Sequence, residues 1–147
     1  MSMVKSAWPV LAEQAQKKVA ELEAQFVQAK AKEQQQHQQL LRVSAMVEEY
    51  RVKQRTLEQG SNLSDSVNCR NFLSQLIGVE IQAERGYKTA ANNRFDMARE
   101  LKAARIELEK MKKLVEREKK ATQQLAAKQA QKSMDELATM RHGWRHA

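Results

Sequence analysis

Few residues of this chain have the types and spacings that chemistry requires: one cysteine and three histidines. Cys69 could act as a nucleophile, but no arrangement of histidine and aspartate surrounds it in the sequence. His142 and His146 lie four residues apart, a spacing that two zinc ligands adopt on a helix. Gly143 lies between them and no cysteine joins them, which favours a frayed tail. His37 lies in a glutamine-rich run, which favours a solvated side chain.

Larger catalytic motifs are not found either. The sequence has no glycine-rich phosphate-binding loop. A pair of carboxylates needs a cleft to act on a substrate, and an elongated helical protein offers none. The sequence therefore predicts a protein that is not an enzyme and that carries no metal and no cofactor.

The strongest remaining chemical signal is positive charge. The net charge is +8, and the segment 110–120, KMKKLVEREKK, holds six basic and two acidic residues. Such a run is usually a solvated helix face, but it also suits an acidic protein, a nucleic acid or lipid headgroups. Because no aromatic residues are interleaved for base stacking, an acidic protein is favoured over a nucleic acid.

Composition indicates the elements that position these residues. The 147 residues include only four glycines and one proline, 30% are charged and the mean hydropathy is -0.74. This composition is typical of long helices or coiled coils. A single cysteine excludes an internal disulfide and indicates a reducing compartment. With no signal peptide and no long apolar run, we expect a soluble cytoplasmic protein with a single domain, residues 1–147.

Two heptad-like stretches flank one break. In the first stretch, steps of three and four residues connect Trp8, Leu11, Ala15, Val19, Leu22, Phe26, Ala29, Glu33, Gln36, Leu40, Val43, Val47, Tyr50, Gln54 and Leu57. In the second, such steps connect Met97, Leu101, Ala104, Leu108, Met111 and Val115. The break GSNLSDS offers Gly60 as a helix C-cap and Ser64, Asp65 or Ser66 as an N-cap.

The fold class predicted is all-α: a long antiparallel two-helix coiled-coil hairpin whose second helix is longer than the first. We expect helix one at about 6–59, a loop at 60–66, helix two at about 67–140 and a frayed tail at 141–147. Pairing about the loop places residue i opposite residue 123 minus i. From about Gln123 onward, helix two has no partner within the chain.

The segment FLSQLIGVEI, residues 72–81, holds more apolar residues than one two-helix interface needs. We expect Leu73 and Ile77 to face helix one. A second stripe is expected to face outward, formed by Phe72, Leu76 and Val79 with Val43, Met46 and Tyr50. An exposed apolar patch usually marks a binding site. A wider local core or a third helix from self-association would also explain the surplus.

Three segments carry a resemblance to a known family. QQLLRVSAMVEEYR before the break, NCRNFLSQL after it and QKSMDELATMR near the end resemble the FliJ family of the bacterial flagellar type III export apparatus. The resemblance implies an antiparallel coiled coil similar to the stalk of a rotary ATPase. It implies three partners: the hexameric export ATPase, the large membrane export-gate protein and the export chaperones. It also implies a position at the inner-membrane face of the flagellar basal body.

The resemblance further implies two sites. An export-gate-binding patch would comprise Gln39, Val43, Met46, Tyr50, Phe72, Leu76, Val79 and Ala83. The ATPase-facing end would present long basic side chains to a pore, with the candidates Lys17, Lys18, Lys112, Lys113, Arg117, Lys119 and Lys120. Other interpretations are an injectisome stalk counterpart, a cytosolic export chaperone and, less favoured, a basic helical nucleic-acid binder.

Overall fold

The described part of the chain folds into two α-helices joined by a short turn. A computed structural model describes residues 7–60 and 62–145, and it contains α1 (Trp8–Glu58) and α2 (Leu63–Arg145). The predicted helical hairpin with a longer second helix is confirmed. Residue 6, where helix one was expected to begin, lies outside the described residues. Within the described residues, no helix has a stretch apolar and long enough to cross a membrane.

The turn is shorter than the seven residues predicted, because Asn62 caps α2. Its side-chain oxygen accepts a hydrogen bond from the Asp65 N–H at 3.4 Å, and its amide donates to the Asp65 carboxylate at 2.8 Å. This reciprocal pair resembles a capping box and starts the helix at Leu63. The prediction of Ser64, Asp65 or Ser66 as the N-cap is therefore wrong: all three lie inside α2.

Gly60 follows the end of α1, as expected, but its backbone conformation is not that of the usual glycine C-cap. Its N–H donates to the carbonyl of Leu57 at 3.1 Å, a tight three-residue bond. No described glycine has a positive φ, so Gly60 does not adopt the left-handed conformation of the usual glycine cap.

The described residues cluster into two compact units, of which the larger is 20–103. Here α1 and α2 run antiparallel, since Tyr50 contacts Phe72 while His37, farther from the turn, contacts Tyr87. The heptad residues of α1 in this unit are all buried or half-buried. The most buried apolar residues of the unit are Leu22, Ala29, Val47, Cys69, Leu76, Ala83, Ala90 and Leu101.

The middle of this unit is polar rather than aliphatic. The Glu33 carboxylate of α1 accepts a hydrogen bond from Nε of Arg94 on α2, and the two side chains form an ion pair. The Gln36 side chain lies against Gly86 so closely that a Cβ there would stand 2.9 Å from its amide oxygen. The two residues that interrupt the apolar heptad pattern therefore make specific contacts with α2.

The smaller unit contains residues 7–19 and 104–145 of the described chain. Val19, Ala104 and Leu108 are its buried apolar residues. Every residue from Lys119 to Trp144 is exposed, so burial stops four residues before the predicted position, Gln123. The helix nevertheless continues to Arg145, beyond the expected end at 140. Residues 146 and 147 of the expected frayed tail lie outside the described residues.

Candidate protein-binding surfaces

The first candidate surface, here called the hairpin patch, is the set of eight residues expected to bind an export gate. The structure leaves Gln39, Met46, Phe72 and Val79 exposed, with Met46 42%, Phe72 43% and Val79 47% accessible. Val43 and Tyr50 are half-buried. The remaining two members, Leu76 and Ala83, are buried.

The outward orientation predicted for Leu76 is therefore wrong. Leu76 and Ala83 are each only 8% exposed, whereas Leu73 and Ile77 are half-buried. The physical reason is the heptad spacing of α2, in which Cys69, Leu76 and Ala83 recur every seven residues on the side that packs against α1. Leu76 and Ala83 can support the patch from beneath, but they present little surface to a partner.

An aromatic pair spans the two helices at the hairpin patch. The ring centroids of Tyr50 and Phe72 are 4.7 Å apart with an interplanar angle of 51°, a tilted contact that aromatic quadrupoles favour. The ammonium of Lys53 lies 5.4 Å from the Tyr50 ring centroid, within cation–π range. The Cys69 thiol is buried and points to the Tyr50 carbonyl at 4.0 Å, which indicates a packing role.

Polar contacts hold the two helices together between this patch and the turn. The buried amide of Gln54 donates to the Ser66 hydroxyl at 3.3 Å and to the Glu58 carboxylate at 3.0 Å. Arg70 pairs with the same carboxylate at 3.2 Å. The hydrogen bond from Gln54, and then the one from Arg70, hold the pKa of Glu58 below its usual value of 4.5. These contacts fix the end of the hairpin on which the patch lies.

The second candidate surface, here called the basic cluster, lies in the smaller unit. All seven of its members are exposed: Lys17, Lys18, Lys112, Lys113, Arg117, Lys119 and Lys120. Lys17 forms an ion pair with Glu13 at 3.6 Å and Lys112 with Glu109 at 3.8 Å, both along their own helices. Within the described residues, Lys18, Lys113, Arg117, Lys119 and Lys120 form no ion pair, so their charge is available to an acidic surface.

Beyond the basic cluster, α2 carries an apolar stripe, here called the tail stripe. It comprises Met134, Leu137, Met140 and Trp144, which are 54% to 75% exposed. Trp144 was missed in the sequence because residues 141–147 were expected to fray. The steps of three, three and four residues from Met134 to Trp144 were the available signal, since they place these side chains on one side of a helix.

The part of the chain that the structure describes contains no group of three or more histidine, cysteine, aspartate or glutamate residues able to hold a metal ion. His142 lies on the exposed helix end, and His146 lies outside the described residues.

Comparison with known protein families gives a match over most of the chain. The family model described as "Flagellar FliJ protein" matches residues 9–146, nearly the whole chain. No curated protein and no solved structure matches the chain.

Proposed function

The chain belongs to the FliJ family of non-catalytic flagellar export-apparatus components, and we propose that it is the central stalk of the export ATPase. In this role it promotes assembly and activity of the hexameric ATPase ring. It also links the ring to the membrane export gate and to export chaperones, at the inner-membrane face of the basal body.

The observation that supports this role most strongly is the helical end of α2. Residues 119–144 remain helical although every one of them is exposed. A helix with an exposed apolar stripe gains most of its stability when that stripe packs against another protein. The pore of an ATPase ring would supply such a surface for the tail stripe.

The basic cluster supports the same partner. Five of its members lie on α2 before the tail stripe, where α2 would enter a pore: Lys112, Lys113, Arg117, Lys119 and Lys120. Long, exposed lysine and arginine side chains attract acidic loops at a distance and accelerate association more than they raise affinity. We therefore assign the cluster to docking and the tail stripe to holding the bound state.

The hairpin patch is assigned to the export gate. Its exposed residues, Met46, Phe72 and Val79, lie in the other compact unit from the basic cluster and tail stripe. The aromatic pair of Tyr50 and Phe72 is the kind of rigid apolar anchor that dominates protein interfaces. Separate surfaces would let one chain bind the ring and the gate.

The proposal is tested by removing residues 123–147 and measuring ATP hydrolysis by the host's flagellar export ATPase. We expect stimulation to be lost, while the hairpin keeps its circular-dichroism signal per residue and its binding to the gate. The matched control exchanges Lys128 and Lys132 for glutamine, which changes the charge of the tail but leaves its stripe intact. Full stimulation by the truncated protein would exclude this role for the tail stripe.

The same assay separates the alternatives. Binding of export substrates without any stimulation of the ATPase would indicate a cytosolic chaperone instead. Stimulation of an injectisome ATPase, but not of a flagellar one, would indicate the injectisome counterpart.

A further inference from the structure

A groove with mixed aromatic and charged walls lies in the middle of the larger unit, next to the hairpin patch on its side farther from the turn. We call it the mid-helix groove; its walls include Phe26, Lys30, Glu33, His37, Tyr87 and Arg94. It is a shallow groove, widely open to solvent, with a volume of about 450 Å³. It coincides with Glu33 and Gln36, the polar interruption of the heptad pattern, where these two positions of α1 place no aliphatic side chain against α2.

The cationic groups of this groove are only partly neutralised. Arg94 donates to Glu33 through Nε, and within residues 7–60 and 62–145 its Nη amines donate no hydrogen bond. The Lys30 ammonium likewise forms no ion pair among the described residues. With one carboxylate against two cations, the groove carries a charge of about +1 when His37 is neutral. The terminal fork of an arginine bonded only at Nε matches the two oxygens of a second carboxylate.

The aromatic groups give the groove a flat apolar wall beside that charge. The His37 and Tyr87 rings lie 5.0 Å apart between centroids at 42°, so that each ring limits the other's movement. Phe26 is half-buried on the same groove. A ligand that enters the groove therefore meets a preformed aromatic surface and a cationic one within the same volume.

We propose that the mid-helix groove binds a segment of a partner protein that presents an acidic side chain next to an aromatic one. The carboxylate pairs with Lys30 and with the free edge of Arg94, and the ring packs against Tyr87, His37 and Phe26. The groove is selective for a carboxylate and an aromatic ring together. A carboxylate alone would leave the aromatic side chains exposed to water, and a ring alone would leave the Lys30 and Arg94 cations without a new counter-charge. This site shares no residue with the ATPase and gate surfaces, and the proposal does not depend on the function assigned to them.

Capped dipeptides test this recognition directly on the full-length protein. Ac-Phe-Glu-NH₂ is titrated and its binding followed by saturation-transfer NMR, with Ac-Phe-Gln-NH₂ and Ac-Ala-Glu-NH₂ as the neutral and non-aromatic comparisons. A fragment of this size is expected to bind with a Kd of about 1 mM. We expect each comparison peptide to bind at least about fivefold more weakly, a loss of roughly 1 kcal/mol.

Variants show whether the dipeptide occupies this groove. Lys30→Gln and Tyr87→Leu should each weaken binding of Ac-Phe-Glu-NH₂ at least about threefold, while Lys32→Gln, an exposed lysine on the same helix outside the groove, should leave it unchanged. Circular dichroism confirms that each variant retains its helices. Equal binding of the charged and neutral peptides, no detectable binding, or binding insensitive to both groove variants would overturn the proposal. None of these results would alter the outcome of the tail truncation.

Discussion

Tyr50 of α1 and Phe72 of α2 hold their rings 4.7 Å apart across the hairpin, yet Phe72 keeps 43% of its surface accessible. Tyr50 is half-buried beneath the contact. One aromatic side chain therefore joins the two helices on one side and remains available to a partner on the other.

Replacing Phe72 separates binding from folding. Phe72→Ala should weaken binding to the export gate about tenfold or more, because central aromatic anchors typically contribute 2 kcal/mol or more to an interface. Helicity should change little, since the side chain is largely exposed. Surface plasmon resonance with the gate's cytoplasmic domain and circular dichroism measure the two effects. Val52→Ala, also at an exposed apolar residue of the chain, is the control; equal losses in both variants would contradict the assignment.

Leu76 should behave in the opposite way. Because Leu76 is buried between the helices, Leu76→Ala should lower the free energy of unfolding by about 2–3 kcal/mol. Urea unfolding followed by circular dichroism at 222 nm measures this loss, with Phe72→Ala as the comparison. If Leu76→Ala left stability unchanged while abolishing gate binding, Leu76 would belong to the outward stripe after all.

The contrast between these two residues shows what the sequence could predict. From Leu22 to Leu57, regular steps of three and four residues correctly identified the buried side of α1, because burying apolar surface requires that spacing. At the start of α1 the same pattern fails, since Trp8 and Leu11 are exposed. Around Leu76 the apolar residues are so dense that spacing alone cannot show which face of α2 packs against α1. The buried face continues from Leu76 through Glu80 to Ala83, and the charged Glu80 makes this heptad hard to recognise in the sequence. The choice depends on the packing of α1 against α2, which a single helix cannot reveal.

The residue that caps α2 and the mid-helix groove were not predicted from the sequence, because in each case the local signal was weak or absent. Three candidate capping residues follow Leu63, and the one used, Asn62, precedes them; its pairing with Asp65 three residues later was the only local signal. The groove depends on Arg94 meeting Glu33, residues that are 61 positions apart. Such a contact becomes visible only when the helices are placed side by side.

Two of the three glycines inside α2, Gly78 and Gly86, should respond differently to alanine. Nothing lies within 4 Å of a Cβ added at Gly78, so Gly78→Ala should raise the free energy of unfolding by up to about 1 kcal/mol, the usual gain in helix propensity. At Gly86 the added Cβ would stand 2.9 Å from the Gln36 amide oxygen, which must move away. The gain there should therefore be smaller. Urea unfolding of both variants checks the order, and a larger gain at Gly86 would contradict it.

Acid should weaken the hairpin end through Glu58. Its folded pKa lies below the usual 4.5, so its contribution to stability is fully present above that value. The contribution disappears as the pH falls through the lower folded pKa, where the folded carboxylate also takes up a proton. Glu58→Gln should thus be less stable than the natural chain at pH 6, and the difference should shrink towards pH 3.

Thermal unfolding across that pH range measures the effect. The control is Glu49→Gln, which removes one exposed carboxylate of α1 away from the turn. A difference between Glu58→Gln and the natural chain that stays constant with pH would contradict the role of this carboxylate.

The ion pair between Glu33 and Arg94 has a mechanical consequence for residues 20–103. If one helix slid past the other by a heptad, Glu33 would leave Arg94 and lie opposite Tyr87 or Leu101. Next to Leu101, which is only 4% exposed, the carboxylate would lose both water and counter-charge. Gln36 would also lose the space that Gly86 gives it. Slippage is therefore opposed in both directions, and a force that pulls on one helix of this unit is borne by both.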